Sequence, residues 1–166
     1  MKYAIVFSSQ TGNTRMLAEA IRDLLPREDL LCFGAPCPEA LGADRIYVGF
    51  WTDKGSCDSS TQAFLKTVTR QQVFLFGTAG FGGDPGYYEK ILTKVRRNLS
   101  GEAELIGSCM CQGKMPMAVR ERYEKMLKMH APVPNLKGML ENFDRALSHP
   151  DQADLEAVRK AVINTI

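Results

Sequence analysis

Short polar side chains and one glycine are concentrated between the first apolar run of the chain, residues 3–7, and the first amphipathic segment. A loop that joins a strand to a helix exposes unpaired backbone N–H groups at the positive end of the helix dipole, which favours an anion. Hydroxyl and amide side chains add donors, and glycine lets the backbone approach a ligand closely. We therefore predict a phosphate-binding loop that consists of Ser8, Ser9, Gln10, Thr11, Gly12, Asn13 and Thr14.

Three widespread phosphate-binding motifs are absent. The predicted loop has no lysine, which G-x-x-x-x-G-K-[ST] requires, and Gly113-Lys114 is followed by Met115 rather than Ser or Thr. No cysteine begins a C-x5-R loop, and Gly80-Phe81-Gly82 does not continue as G-x-G-x-x-G. The predicted loop therefore has to bind its anion through amides and hydroxyls, without a cationic anchor.

Two further segments rich in glycine and polar residues follow later apolar runs. In an open parallel sheet, ligands bind beyond the carboxyl ends of the strands, where such segments lie. Together with the first loop they predict one binding site. The segments consist of Phe50, Trp51, Thr52, Asp53, Lys54 and Gly55, and of Thr78, Ala79, Gly80, Phe81, Gly82 and Gly83.

Two aromatic residues in these segments are candidates for contact with a flat ligand. Trp51 is the only tryptophan, and Phe81 stands among glycines. A large ring in a polar loop can stack on a ligand or simply fill the end of the sheet, and for Trp51 both interpretations stay open. Tyr88 lies on the apolar stripe of a predicted helix, which favours a position in the core.

Short apolar runs alternate with amphipathic segments along most of the chain. Runs of this length bounded by turn residues indicate buried strands, and a 3.6-residue apolar spacing indicates helices. Because helical crossovers cover both faces of a parallel sheet, the alternation predicts an α/β fold with a three-layer, doubly wound, five-stranded sheet. The predicted strands are residues 2–7, 30–33, 45–50, 72–76 and 103–108, and the predicted helices are residues 14–25, 59–69, 87–99, 118–129, 136–147 and 151–163.

The length of 166 residues fits a single domain, and no linker or internal repeat divides the chain. We therefore expect one domain over residues 1–166. Three of the predicted helices follow the last predicted strand, and simple alternation requires only one there. The end of the chain is thus expected to contribute at least one extra helix and a closing helix.

The composition argues against several classes of protein. With 45% hydrophobic and 24% charged residues the chain is typical of a globular protein. A formal net charge of +2 without a long basic run indicates no nucleic-acid partner. No signal peptide or membrane-length segment is evident, so we expect no membrane association and a cytoplasmic location. Two histidines and five unevenly spaced cysteines do not predict a metal site, and we expect reduced thiols.

The stretch Ser9-Gln10-Thr11-Gly12-Asn13-Thr14, placed after a first strand, resembles the [TS]-x-T-G-x-T fingerprint of the flavodoxin family. The resemblance extends over the order of elements in nearly the whole chain. It implies a strand order of 2-1-3-4-5 and noncovalent binding of flavin mononucleotide (FMN). In that family the first loop holds the phosphate and the two later loops enclose the flavin ring. The resemblance further implies ring contacts from Trp51 and Phe81, and a peptide at Gly55 that can turn its carbonyl toward the flavin.

Three stretches of the chain are also similar to a subgroup of flavodoxin-like proteins from gut anaerobes. Proteins of this subgroup are associated with bilirubin reductase as accessory flavodoxins. The stretches are residues 49–55, 76–83 and 110–115.

The resemblance implies an electron carrier that takes electrons from a reductase or ferredoxin and passes them to a partner reductase, without catalytic residues of its own. One alternative is a small FMN-dependent oxidoreductase that takes hydride from NAD(P)H and reduces quinones or nitro compounds. Another is a receiver-like regulatory module, but Ser8-Ser9 stands where paired acidic residues are required. A fold alone does not separate these functions.

Overall fold

The computed structural model describes all residues from Met1 to Ile166, and a parallel sheet forms its centre. Its strands are β1 (Tyr3–Phe7), β2 (Leu30–Gly34), β3 (Arg45–Asp53), β4 (Ser56–Cys57), β5 (Gln72–Ala79) and β6 (Glu104–Gln112). The order is β2-β1-β3-β5-β6, and the two-residue β4 pairs antiparallel with β3. The five strands predicted from sequence thus lie in the predicted order 2-1-3-4-5, and the hairpin strand β4 is an addition.

Six α-helices connect or follow these strands. They are α1 (Asn13–Leu24), α2 (Ser59–Leu65), α3 (Pro85–Arg96), α4 (Met117–Lys128), α5 (Leu136–Ala146) and α6 (Gln152–Ile163). Two 3-10 helices, Arg27–Asp29 and Pro38–Gly42, flank β2. None of the helices has both the length and the hydrophobicity that a membrane span requires.

Successive side chains of a strand point to opposite faces of the sheet, and in the buried strands the side chains on both faces are apolar. Helices therefore cover both faces. On one face, Ile5 and Phe74 of the sheet pack with Ile21 of α1 and Val158 of α6. The opposite face packs against α2 and α3, which contribute residues such as Leu65, Ile91 and Val95. The predicted three-layer, doubly wound fold is confirmed.

The strands that lead to the site extend further than their sequence patterns predict. Strand β3 continues from the predicted end at residue 50 to Asp53, and β5 continues from residue 76 to Ala79. Both extend because they pair with each other, with Trp51 opposite Thr78. The placement of Trp51 in a loop without strand neighbours was therefore wrong, since Trp51 lies within β3.

A tight hairpin follows β3 in place of the predicted open loop. Lys54 and Gly55 have φ angles of 50° and 78°, and they connect Asp53 directly to its partner Ser56. Positive φ at both central residues is characteristic of a type I′ turn, which matches the twist of antiparallel strands. Gly55 therefore serves a tight turn.

The helices after β6 include two that simple alternation does not require. Helices α4 and α5 pack on each other, with Tyr123 and Phe143 buried. Helix α6 packs against α1 and β6 and closes one face of the sheet. It begins with a capping box, in which Asp151 accepts from the backbone N–H of Asp154 and the Asp154 carboxylate accepts in return. The predicted extra helix is confirmed.

Candidate functional site

The first predicted loop lies at the carboxyl edge of the sheet, between β1 and α1. Gly12 precedes α1 with φ 87° and ψ −4°, a left-handed conformation that glycine adopts without a steric penalty. No side chain caps the helix, and its first turn has no acidic residue. The Arg15 N–H donates to the Ser9 hydroxyl at 3.4 Å. The N–H groups of Asn13 and Thr14 therefore remain available to an external anion.

A concavity of about 440 Å³, here called the outer concavity, borders this loop. Residues of the loop, of the segment after β2 and of α2 line it. The guanidinium of Arg15 adds positive charge beside the helix N-terminus and also pairs with Glu19 at 3.1 Å. This place combines free amides, hydroxyls and a cation, which suits a phosphate group. The lining residues are Phe7, Ser8, Ser9, Gly12, Arg15, Gly34, Ala35, Pro36 and Ser60.

Asn13 has a buried acceptor without a partner. The residue is 6% exposed, and its Nδ2 donates to the carbonyl of Lys114 at 2.8 Å. Its Oδ1 is buried and no group in the protein donates to it. Because an unpaired buried acceptor costs roughly 1–3 kcal/mol, this oxygen points to a ligand with a hydroxyl or N–H donor.

Thr14 is fully buried, and its side chain stabilises the protein itself. Its hydroxyl lies 3.2 Å from the carbonyl oxygen of Phe50 and 3.2 Å from the hydroxyl of Thr78. These contacts tie together the first loop and the ends of β3 and β5. Of the groups of Thr14, the backbone N–H at the start of α1 is the one left for an anion.

Trp51 and the first loop are joined directly. The indole Nε1 of Trp51 donates to the hydroxyl of Ser8 at 3.2 Å, and the half-buried ring lines a second, inner cavity. This inner cavity is lined by Gln10, Thr11, Asn13, Trp51, Thr52, Thr78, Ala79 and Gly80, and by residues 113–116. The structure thus brings parts of all three predicted loops together around one cavity.

Residues 113–116, here called the crossing segment, cover the inner cavity. The Gly113 N–H donates to the carbonyl of Ala79 at 2.9 Å. The carbonyl of Lys114 accepts from the side chains of Thr11 and Asn13, and its N–H donates to the carbonyl of His149. The remaining volume of the cavity is about 70 Å³. Small-molecule sites usually measure about 300–1,000 Å³, so the cavity is too small for a cofactor of ordinary size.

The third loop is held by side chains from outside the predicted segments. The carbonyl of Gly80 accepts from Gln112 Nε2 and from Asn142 Nδ2, both at 3.0 Å. The Asn142 Oδ1 in turn accepts from Gln112 at 3.0 Å. Phe81 projects from this loop, 40% exposed, with its ring edge-to-face against Tyr87. Tyr88, a residue of α3, packs against the core, in agreement with its place on the apolar stripe of that helix.

Some of the predicted binding residues line neither the outer concavity nor the inner cavity. Asp53, Lys54 and Gly55 form the tip of the β3–β4 hairpin, which approaches α3 near Lys94. Phe50 is fully buried in the core, and Phe81, Gly82 and Gly83 line neither the outer concavity nor the inner cavity. Any contact of these residues with a cofactor stays a prediction.

Sequence reasoning missed Arg15, the crossing segment and the amide pair Gln112 and Asn142. Arg15 directly follows the [TS]-x-T-G-x-T stretch, so its position at the start of a helix was a usable signal. The stretch 110–115 was noticed only for its similarity to a subgroup. Asn142 had no sequence signal, because nothing in the chain between residues 80 and 142 predicts that α5 reaches Gly80.

Comparisons with known proteins identify the family of the chain. The family model described as "Flavodoxin domain" matches residues 4–163, which is nearly the whole chain. The chain belongs to the flavodoxin family. Among its flavodoxin relatives is the flavodoxin-like domain-containing protein BilS of Clostridium symbiosum (strain WAL-14163). It is 39% identical over 183 aligned residues, which cover 100% of this chain and 96% of the relative.

A second flavodoxin relative and one solved structure extend this comparison. The BilS protein of Clostridioides difficile (strain CD3) is 30% identical over 162 residues, covering 93% of this chain and 90% of that protein. The crystal structure of oxidised Flavodoxin 2 from Bacillus cereus superposes with a TM-score of 0.55 at 17% identity, covering 98% and 96% of the two chains. This structural similarity supports the flavodoxin fold.

FMN is the cofactor that the flavodoxin resemblance implies, and the outer concavity fits it better than the inner cavity does. The outer concavity offers free amides, a cation and enough volume for a phosphate group. The buried Asn13, whose Oδ1 has no donor, lines the inner cavity instead. The inner cavity, at about 70 Å³, is too small for a flavin ring. A flavin ring beside Trp51 therefore needs more space than this cavity provides.

Proposed function

We propose that this flavodoxin binds FMN noncovalently and transfers electrons from a donor reductase or ferredoxin to a partner reductase. The phosphate is held in the outer concavity by the N-terminus of α1, the hydroxyls of Ser8 and Ser9, and Arg15. Bound FMN supplies the electron-accepting group, and the protein supplies the phosphate site, Trp51 beside the ring and exclusion of water.

The observation that carries the proposal is the set of unsatisfied groups in the first loop. Helix α1 begins with a left-handed glycine and no side-chain cap, and one residue later the buried Asn13 Oδ1 has no donor. A phosphorylated polyol chain carries both an anion for the amides and hydroxyls for the amide oxygen. The uncapped helix N-terminus and the unpaired amide oxygen lie at adjacent residues, so a single ligand can bind both.

An oxidoreductase that binds NAD(P)H is the alternative function. Hydride transfer requires a nicotinamide to lie against the flavin ring within about 3–3.5 Å, which needs an open pocket over that ring. A carrier needs only an exposed edge of the ring.

The similarity to BilS proteins narrows the choice of partner. Both curated relatives are flavodoxin-like proteins named BilS, and the first covers the chain completely. We infer that the accepting partner is a reductase of the kind that the resembling subgroup serves, namely a bilirubin reductase. Electrons from the chemically reduced, FMN-loaded flavodoxin are expected to support that reductase, whereas free FMN at equal concentration is not.

Binding of FMN is tested by titration with Trp51 as the probe. Because Trp51 is the only tryptophan and lines the inner cavity, FMN is expected to quench its fluorescence with one-to-one stoichiometry. Asn13→Ala is expected to raise the dissociation constant roughly tenfold, the effect of losing a hydrogen bond worth about 1–1.5 kcal/mol. The matched control Asn164→Ala alters an exposed amide near the end of the chain and is expected to bind like the wild type. Equal affinity of all three proteins would contradict the proposed site.

Electron transfer is tested separately from binding. The FMN-loaded flavodoxin is reduced anaerobically in steps and followed by its absorption spectrum, where a carrier is expected to take up electrons in two separate one-electron steps. In a second assay NAD(P)H and a quinone are added, and a carrier is expected to show no steady-state NAD(P)H oxidation. Sustained turnover in the second assay would instead support the oxidoreductase.

A further inference from the structure

Two cysteines outside the proposed FMN site lie in direct contact. Cys32 belongs to β2, and Cys37 lies five residues after Cys32, beyond the end of that strand. The thiol of Cys37 donates to the Cys32 sulfur, with the two Sγ atoms 3.6 Å apart. Both residues are half-buried. A disulfide has an S–S distance of about 2.0 Å, so a small shift of the two side chains brings these atoms to bonding distance.

The environment of the pair gives a small reagent access to Cys37. This residue lines an apolar cleft of about 480 Å³ together with Pro36, Leu41 and Phe64. Cys32 packs against the core beside the same cleft. The loop that a bond would close has only four intervening residues, so its closure costs little conformational entropy.

The other three cysteines have no such arrangement. Cys57 is buried at the end of β4. Cys109 and Cys111 alternate along β6 and pack in the core on the side of α1 and α6, and neither sulfur has a hydrogen-bonded thiol partner. The 32–37 contact therefore results from the turn after β2 and not from a high density of cysteines.

We propose that Cys32 and Cys37 are a redox-active dithiol that closes to an intramolecular disulfide by exchange with a small disulfide such as oxidised glutathione. In the first step a Cys37 thiolate attacks one glutathione sulfur, forms a mixed disulfide and releases one glutathione thiolate. In the second step the Cys32 thiolate attacks the Cys37 sulfur and releases the second glutathione. The protein loses two protons and two electrons, and one glutathione disulfide becomes two thiols.

The protonation of Cys32 supports this order of attack. Burial, and then the hydrogen bond shared with Cys37, raise the pKa of the Cys32 thiol to about 12. Cys32 is therefore a poor first nucleophile, since the thiolate is the reactive species. Once Cys37 is in the mixed disulfide, its hydrogen bond to Cys32 is gone and Cys32 can act as the resolving thiol.

The position of the pair gives it a link to the proposed phosphate site. Residues 34–36, which lie between the two cysteines, line the outer concavity opposite Ser9 and Gly12. Oxidation of the pair would therefore fix a wall of that concavity. The dithiol is a two-electron centre of its own, and its chemistry does not depend on bound FMN.

The proposal is tested by equilibrating the full-length protein with glutathione redox buffers, blocking free thiols and mapping tryptic peptides by mass spectrometry. Cys32 and Cys37 fall in one peptide, residues 28–45, which is expected to lose the mass of two hydrogens in oxidising buffer. The same digest contains an internal control, because Cys109 and Cys111 share the peptide of residues 98–114 and are expected to stay reduced.

Single variants test the order of attack. Cys32→Ser is expected to accumulate the glutathione mixed disulfide at Cys37, while Cys37→Ser is expected to form no intramolecular bond in residues 28–45. The double variant Cys109→Ser/Cys111→Ser is expected to form the disulfide between Cys32 and Cys37 as the wild type does. A wild-type 28–45 peptide that stays reduced at every glutathione ratio would overturn the proposal. A disulfide that forms in the 98–114 peptide in preference to the 28–45 peptide would also overturn the proposal.

Discussion

At the scale of single residues, the site depends on groups that the protein itself leaves unsatisfied. Gly12 supplies a left-handed backbone, and Asn13 buries an amide oxygen without a donor. Arg15 adds a cation that interpretation of the sequence alone did not include. A motif of small polar residues thus becomes an anion site because the backbone turns sharply in front of α1.

Gly12→Ala is expected to destabilise the protein by about 1 kcal/mol, because a side chain at φ 87° is strained even though a Cβ there would meet no atom within 4 Å. Gly101→Ala is the matched control, since Gly101 also has open space around it but no positive φ. Urea denaturation measures both free energies of unfolding. A loss in Gly101→Ala as large as in Gly12→Ala would show that the backbone conformation is not the cause.

Arg15→Ala is expected to weaken FMN binding by at most about fivefold at low salt, because an exposed ion pair contributes roughly 0.2–1 kcal/mol. The effect should shrink in high salt, where exposed charges are screened. Arg27→Ala is the control, because Arg27 is an exposed arginine beyond the opposite end of α1. Titration with FMN at two salt concentrations, followed by Trp51 fluorescence, compares the affinities of Arg15→Ala and Arg27→Ala. An Arg15 effect that does not depend on salt would argue against a role in phosphate binding.

At the scale of elements, the segments after β6 determine the shape of the site. The crossing segment binds the first loop through the carbonyl of Lys114 and β5 through Gly113. Helix α5 reaches the third loop through Asn142. These contacts join the predicted loops to a part of the chain whose pattern only indicated additional helices.

Asn142→Leu is expected to lower the free energy of unfolding by about 1–3 kcal/mol, since it removes a part-buried hydrogen bond to Gly80 and one of the two acceptors of Gln112 Nε2. Glu141→Leu is the control, because it introduces the same side chain at an exposed position of the same helix. Urea denaturation gives the stability, and amide hydrogen exchange reports on residues 80–83. Unchanged exchange there in Asn142→Leu would contradict the role of Asn142 in holding the third loop.

At the scale of the whole molecule, one face of the sheet is closed by the last helix of the chain. Val158 and Val162 of α6 are fully buried with Ile21 of α1. The helix starts at Asp151, whose side chain accepts from the Asp154 N–H. That hydrogen bond and the nearby His149 hold the pKa of Asp151 below its ordinary value of 3.8.

A lowered pKa in the folded state predicts the direction of the pH dependence. The stabilising contribution of Asp151 is fully present above about pH 5 and is lost as the pH falls below 3.8 toward the folded pKa. Asp151→Asn keeps a side-chain acceptor but cannot titrate, so its stability is expected to fall less steeply in acid. Glu102→Gln is the control, because the exposed Glu102 forms no ion pair. Thermal unfolding between pH 7 and 3 measures the difference, and parallel curves for Asp151→Asn and the wild type would contradict it.

The fold class and the place of the first loop were predictable from the sequence pattern, and the strand order came from the family resemblance. Apolar runs such as residues 3–7 and 72–76 indicate strands buried on both faces, and their alternation with helices predicts a doubly wound parallel sheet. The polar stretch from Ser8 to Thr14 follows the first strand, so its position at the carboxyl edge of the sheet follows from the chain order. The cofactor class came from the family resemblance of that stretch.

Only the tertiary structure decided how the strands end and what covers the site. Pairing of Trp51 with Thr78 extends β3 and β5 beyond their apolar patterns, because ladder hydrogen bonds do not require apolar side chains. The contact of Lys114 with Asn13 joins residues about one hundred positions apart. Local patterns report which face of an element is buried, and they carry no information on which distant segment supplies the partner.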